Sequence, residues 1–432
     1  MIKILYKKST NFKNQLDYSL GIRKQISRSK ISIVKKIIED VKKKQDKSLI
    51  KYEKKFNKLR NLTKKDLYFS KSEIKKEIKK LDYKTKSSIN IAFNRILNFH
   101  KNQKITNYKL LDKYKNTLSY RSLPLDKIGV YVPGGIANYP SSVLMNCIPA
   151  IVAGVKEIYI TVPSIGKKVN AGVLYAASKC NVKKIYKLGG AQAITALAYG
   201  TETVEKVEKI VGPGNEFVAI AKKEVFGEVG IDMFAGPSEV TIIADRHSNA
   251  EWIAADLVAQ AEHDEMAQSI IITDNKNLIL KIKKAVDIQL RFLPKKNIIL
   301  RSLKKFGLAI LASNKKDIFE ITNKIAPEHL QIYTKKPQAY LKKIKSAGSI
   351  FLGPYSPAAI GDYIAGPNHV LPTSGSAKFS SGLSVYDFIK RQSVTKITKS
   401  GIERLGPSVI NLAEYENLHG HANSVKIRIK KG

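Results

Sequence analysis

The sequence predicts an α/β protein built on two largely parallel sheets. Three observations predict it. Short β-rich runs alternate with helical stretches from Lys127 to Val225, a second such series opens at Glu239, and glycines mark several strand-to-helix turns. The chain has 432 residues, too many for one ordinary core, and 43% hydrophobic with 26% charged residues is a globular composition.

Residues 1–26 are polar and read as an N-terminal arm, extended or briefly helical. From 31 to 100 the pattern is that of Lys-rich amphipathic helices, with Ile31, Ile33, Val34, Ile37, Ile38 and Val41 at helical spacing. IGVYVP (128–133) is then followed by a helix over 141–155, EIYITVP (157–163) by one over 171–180, KKIYKLGG (183–190) by one over 191–199, and KIVGPG (209–214) by one over 216–225. This succession gives parallel strands with right-handed crossovers. The second series begins with EVTIIAD (239–245) and a helix over about 249–262. SIIITD (269–274), NIILRS (297–302), LAILAS (308–313), HLQIYT (329–334) and SIFLGP (349–354) are its further strand candidates. The expected division joins 27–130 with 240–382 as a first α/β domain and sets 131–239 apart as a second. Residues 383–432 are too few for a large core and are expected to pack on another domain or subunit.

The net charge of +40 raises a nucleic-acid reading. Residues 1–120 hold 34 Lys and Arg against 10 acids, whereas 201–274 hold 15 acids against 5 bases. The surplus is Lys spread along helices, without zinc-finger spacing or an RNA-binding aromatic motif, so a solvated surface explains it better than a specific polyanion site. No run of 18 apolar residues and no signal-peptide pattern occur, which argues for a cytoplasmic chain off the membrane. The two cysteines, Cys147 and Cys180, read as reduced core thiols.

Five segments have the makings of a site. VPGG (132–135), LGG (188–190) and GPGN (212–215) are turns whose N–H groups suit an anion; each alone is explained by a tight turn, but three together suggest a shared crevice. Gln260 and His263, at i and i+3, share a helix face that suits a metal or simply solvent. Glu328 and His329 in APEHL offer a carboxylate and an imidazole for different proton transfers, although a regular strand would turn them to opposite faces. The loop 361–383 carries Asp362 and His369, and near the end Glu416 precedes His419 and His421, which compete for any ligand role. The same residues also suit a zinc hydrolase with water in an open coordination position.

GVYVPGG, GGAQAI, VGPGN, AGPSE (235–239), AQAEHD (259–264), APEHL, GPNHVLPTSG and HGHAN occur in the order and spacing of the histidinol dehydrogenase family, which the chain resembles over roughly residues 120–425. The resemblance implies two incomplete Rossmann-like domains with small helical or extended terminal segments, the 131–239 domain binding NAD. It implies two NAD-dependent oxidations of L-histidinol through the aldehyde to L-histidine, the last steps of histidine biosynthesis. Zinc, one per subunit, would be held by Gln260, His263, Asp362 and His421, and would grip the substrate's imidazole and amino nitrogens. Glu328 and His329 would be the acid–base pair. Substrate would also meet Ser238, His329 and Glu416, and NAD would meet Tyr131, Gln192 and Asn215. The family is an intertwined homodimer, so His421 is expected to reach the partner's site. One departure stands out: Phe234 occupies the place of the family's Pro ahead of Ala235 and Gly236, which alters backbone preference near Ser238.

Overall fold

The computed structural model describes residues 2–24, 28–57, 61–134, 139–164, 169–233 and 236–429; Gly135, Phe234 and Ala235 lie outside them. Along the chain come β1 (Lys3–Tyr6), α1 (Phe12–Gly21), α2 (Arg28–Asn57), α3 (Lys71–Lys79), α4 (Tyr83–Lys101), β2 (Lys109–Leu111) and β3 (Thr117–Pro124). The first alternating series is β4 (Lys127–Tyr131), α5 (Pro140–Ala153), β5 (Glu157–Thr161), α6 (Ala171–Lys179), β6 (Lys184–Tyr186), α7 (Gly190–Tyr199), β7 (Lys209–Val211), α8 (Glu216–Val225) and β8 (Gly230–Ile231). The second is β9 (Glu239–Ala244), α9 (Ala250–Ala261), β10 (Gln268–Thr273), α10 (Lys276–Gln289), α11 (Lys296–Phe306), β11 (Leu308–Leu311), α12 (Lys315–Ile325), β12 (His329–Tyr333), α13 (Gln338–Leu341), β13 (Ser349–Leu352) and α14 (Ala358–Tyr363). The chain closes with β14 (Ile389–Lys396), α15 (Lys399–Tyr415) and α16 (His419–Ile429).

Two parallel sheets form as expected. One runs β6-β5-β4-β7-β8 and the other β1-β11-β10-β9-β12-β13, and every pairing in both is parallel. In each, the first strand of the series (β4 or β9) is central and the order reverses beside it, at β4/β7 and at β9/β12. Ligand crevices of such sheets open at that reversal.

Three expectations change. Residues 3–6 are not a free arm: β1 extends the six-stranded sheet, pairing Lys3 with Leu308. NIILRS is helical, within α11, where Ile299, Ser302, Leu303 and Phe306 are buried at the 3.6 spacing of one helix face; the isoleucine run mimics a strand only over a short window. The grouping of 27–130 with 240–382 also differs from the packing. Helix α2 lays Val34, Ile37, Ile38, Val41, Leu49 and Tyr52 into one core with Tyr131, Leu188 and Ala191, so it covers the five-stranded sheet, to which β4 also belongs. The reason is amphipathic: α2 bends at Gln45 (φ 45°, ψ −126°), and on either side of the bend lysines fill one face and leave an apolar stripe to bury.

Two compact units divide the chain, 1–102 with 126–387 and 103–125 with 388–432. The second unit is an antiparallel β14-β3-β2 sheet with α15 and α16 packed on each other. It leaves Leu110, Leu111, Leu412, Tyr415 and Ile427 exposed. Cys147 and Cys180 are buried and free, as read from the sequence.

Candidate active site

Helix α12 ends at Ala326, which takes a left-handed conformation (φ 50°, ψ 63°). Pro327 cannot continue a helix, so the chain turns there and enters β12 at His329. This corner resolves the opposite-faces objection. Glu328 lies before the strand, and the backbone of Glu239 on neighbouring β9 reaches both side chains: its N–H donates to Glu328 Oε2 at 2.8 Å, and its carbonyl lies 3.2 Å from His329 Nδ1. Glu328 Oε2 and His329 Nδ1 are 3.7 Å apart, and both residues are buried.

With Nδ1 spent on a carbonyl, His329 presents Nε2. That atom is buried without a hydrogen bond, 3.3 Å from Asp362 Oδ1 on α14. Asp362 is held from behind, its backbone carbonyl lying 2.8 Å from His369 Nδ1. Burial pushes Glu328 up to about 7, with His329 opposing. Burial alone would lower His329, but the Glu328 and Asp362 carboxylates outweigh it and lift the ring to about 9. Desolvation raises Asp362 as well, yet His329 beside it brings the net shift down.

Gln260 is buried in the last turn of α9, and its Nε2 has no hydrogen-bond partner. His263 follows the helix end and is exposed, but the protein around it desolvates the ring and holds its pKa below the usual value, with Asp362 pulling the other way. Asp362 and His263 therefore feel each other's charge across the site. Among the described residues no group of three His, Cys, Asp or Glu is arranged to hold a metal. Of the donors expected in the first unit, the His263 imidazole and the Asp362 carboxylate face each other's charge, and the Gln260 amide is buried at the end of α9. Glu416 and His421, the other expected members, belong to the second unit, at the end of α15 and on α16, and both are exposed.

Ser238 sits just before β9. Its carbonyl accepts from Gln268 N–H, and Arg23 Nη2 reaches the carbonyls of Pro237 and Ser238. Arg23 also donates to Met266 O (3.0 Å), Glu239 Oε2 (2.6 Å) and Gln268 Oε1 (3.1 Å), and Glu239 Oε1 accepts from Ser374 N–H at 2.8 Å. No local pattern in the sequence marks Arg23 among so many bases.

On the other sheet, Tyr131 ends β4, Gly189 caps α7 after β6 with Gln192 in the helix's first turn, and Asn215 caps α8 after β7. All three expected cofactor contacts thus stand at the carboxyl ends of strands around the β4/β7 reversal. Tyr131 hydroxyl accepts from Gly190 N–H at 3.1 Å. Gly212 has φ +107°, and a Cβ there would lie 2.2 Å from the Tyr131 carbonyl. Its amide donates to Asp232, while buried Lys222 bridges the Gly212 carbonyl and Asp232.

A buried carboxylate–imidazole pair on one parallel sheet, and glycine-bearing strand-to-helix turns on the other, are the parts of a two-sheet α/β enzyme. The chain belongs to the histidinol dehydrogenase family, whose model matches residues 22–429. It is 51% identical to the histidinol dehydrogenase of Pelagibacter ubique over all of both chains. It is 48% identical to that of Clostridium acetobutylicum, over 93% of this chain and 92% of the relative. Among solved structures, histidinol dehydrogenase from Elizabethkingia anophelis superposes with a TM-score of 0.92 at 37% identity, covering 99% of this chain and 98% of that one.

Proposed function

We propose that the protein is a zinc-dependent L-histidinol dehydrogenase, oxidising L-histidinol through L-histidinal to L-histidine with two NAD per turnover, at the end of histidine biosynthesis. The observation that carries this reading is the Glu239 backbone holding Glu328 and His329 side by side, with His329 Nε2 turned toward Asp362. Gln260, His263 and Asp362 would hold the metal, with His421 completing the set from a partner subunit. An imidazole nitrogen, a carboxylate oxygen and an amide oxygen fit a borderline ion such as zinc, and turning over the Gln260 amide, whose buried Nε2 has no bond to lose among the described residues, would offer that oxygen. When bound, zinc would supply a fixed charge that grips the substrate's nitrogens, and NAD would supply the hydride acceptor. Ser238 and Glu416 are the further substrate contacts, and Tyr131, Gln192 and Asn215 those to NAD.

His329 Nε2 takes the hydroxyl proton as the first hydride leaves. Glu328 then takes a proton from the water that adds to the carbonyl while His329 returns its proton to the carbonyl oxygen, and the ring, neutral again, takes a hydrate proton in the second oxidation. A carboxyl group near pKa 7 is matched to proton transfer at neutral pH. For His329 the neutral ring is the working form; an Asp362 engaged by a cation would no longer hold its proton so strongly.

The dimer reading draws on the apolar residues that the second unit exposes, Leu412, Tyr415 and Ile427 among them, which a second copy of the chain would cover. Among the described residues no helix is long and apolar enough to cross a membrane, and a cytoplasmic location goes with the proposed pathway. The test is the absorbance of reduced nicotinamide with histidinol and NAD, with and without a chelator. Two equivalents per histidinol, lost on chelation, are expected; no reduction of NAD at any metal loading would overturn the reading.

A further inference from the structure

Helix α2 is Lys-rich and mostly solvated, yet it drives one carboxyl group fully into the protein: Glu53 is 0% exposed. Its Oε1 accepts from Gln192 Nε2 at 2.9 Å and from Gly189 N–H at 3.2 Å, and its Oε2 accepts from Asn57 Nδ2. The two bonds to Oε1 are aimed at one place, the turn from β6 into α7. A primary amide such as Gln192 has two faces, one donating and one accepting, and a pure acceptor beside it decides which way it points. Glu53 takes the Nε2 face. Gln192 Oε1 is left buried with no hydrogen-bond partner among the described residues. The same turn is clamped a second time, by the bond from Gly190 N–H to Tyr131 hydroxyl.

We propose that Glu53 is a positioning residue for the nicotinamide dinucleotide: it fixes the Gln192 amide so that Oε1 is the acceptor offered to the ligand. The inference rests on the reading that this crevice takes NAD. Burying a carboxyl group is costly, and desolvation raises its pKa, so a helix that needed only packing would place an apolar residue there. The donors that compensate Glu53 are the groups whose orientation the crevice depends on.

The test is calorimetric titration of the full-length protein with NAD, without histidinol, for Glu53→Gln, Gln192→Ala and the double variant, with steady-state kinetics beside it. Glutamine keeps the volume but carries one acceptor oxygen in place of two against the three N–H donors of Gln192, Gly189 and Asn57, so the Gln192 amide is no longer pinned and NAD is expected to bind about tenfold more weakly, the size of one hydrogen bond lost. Gln192→Ala should cost a similar factor and the double variant no more than Gln192→Ala alone, because Glu53 acts through Gln192. KM for NAD rises while KM for histidinol and kcat at saturating NAD change less than twofold, a split that general loosening of the fold would not produce. Glu53→Asp, which withdraws the carboxylate by one methylene, should repeat the loss and stands in if Glu53→Gln folds poorly. Normal NAD affinity in folded Glu53→Gln or Glu53→Asp overturns the proposal, as do losses that simply multiply in the double variant. Normal affinity in Gln192→Ala would instead bring down the crevice reading itself.

Discussion

Replacing Arg23 by methionine removes the counter-charge of a carboxylate that has no other among the described residues. The side chains of Arg23 and Glu239 are 2% and 5% exposed, and their nitrogen and oxygen meet at 2.6 Å. Methionine fills much of the volume but leaves Glu239 buried as an unpaired charge, and it frees the carbonyls of Pro237, Ser238 and Met266 from the guanidinium. Breaking such a pair from one side costs about 3–5 kcal/mol. With a urea slope of about 1–3 kcal/mol per molar, the unfolding midpoint should fall by at least about 1 M. The single tryptophan, Trp252 on α9, makes the measurement local, because its fluorescence reports the body built on the six-stranded sheet. Adding Glu239→Gln should recover part of the loss, since a neutral amide can still accept from Ser374 N–H. kcat should fall together with stability, because the backbone of Glu239 holds both Glu328 and His329. A loss below about 1 kcal/mol for Arg23→Met would refute the argument that this pair organises the site.

Three further outcomes are expected. Glu328→Gln should slow histidinol oxidation and slow oxidation of supplied histidinal still more, by about 10²–10⁴-fold as for loss of a general base, read by stopped-flow on each half-reaction; equal, unimpaired rates would remove Glu328 from the mechanism. His421→Ala should lose zinc on dialysis, measured by metal analysis, whereas full occupancy would exclude His421 as a ligand. Asp256 on α9 is pushed by burial from 3.8 to about 6, with a bond from Gln331 Nε2 opposing. The folded protein therefore keeps this proton up to about pH 6 while the unfolded chain loses it near 3.8, so the group's contribution is full below pH 3.8 and lost as pH rises through 6. Asp256→Asn should be more stable than the parent by roughly 1–3 kcal/mol at pH 8, with the gain vanishing near pH 4. It also brings a donor close to Gln331 Oε1, which is buried without one. A pH-independent difference would mean that Asp256 ionisation is not the cause.

What the sequence conveyed well was local. The alternation of 128–225 and 239–354 set out the strands and helices of both sheets, because buried parallel strands are short apolar runs closed by turn residues. The APEHL corner was legible from its proline, whereas the helix face expected to carry both Gln260 and His263 stops short, because α9 ends at Ala261 and His263 follows it. What escaped depends on partners far along the chain. Lys3–Tyr6 is too short to announce itself as a strand until β11 lies beside it. Arg23 and Glu53 are single charges in a chain crowded with charge, and only their burial and their partners set them apart. His369, in the Gly-rich loop, had no assigned role until the Asp362 carbonyl was seen next to it. NIILRS shows the converse failure, where a local pattern was real but was read with the wrong period.

The pairing of Lys3 with Leu308 also sets a timetable for biosynthesis. Every strand of the five-stranded sheet lies between Lys127 and Ile231, so that body can close while the ribosome is still at work on the rest. The first strand made must wait, unpaired, until its neighbour β11 emerges, and Arg23 must wait for Glu239. Nascent chains stalled before residue 308 should therefore carry a protease-sensitive amino end beside an already resistant middle.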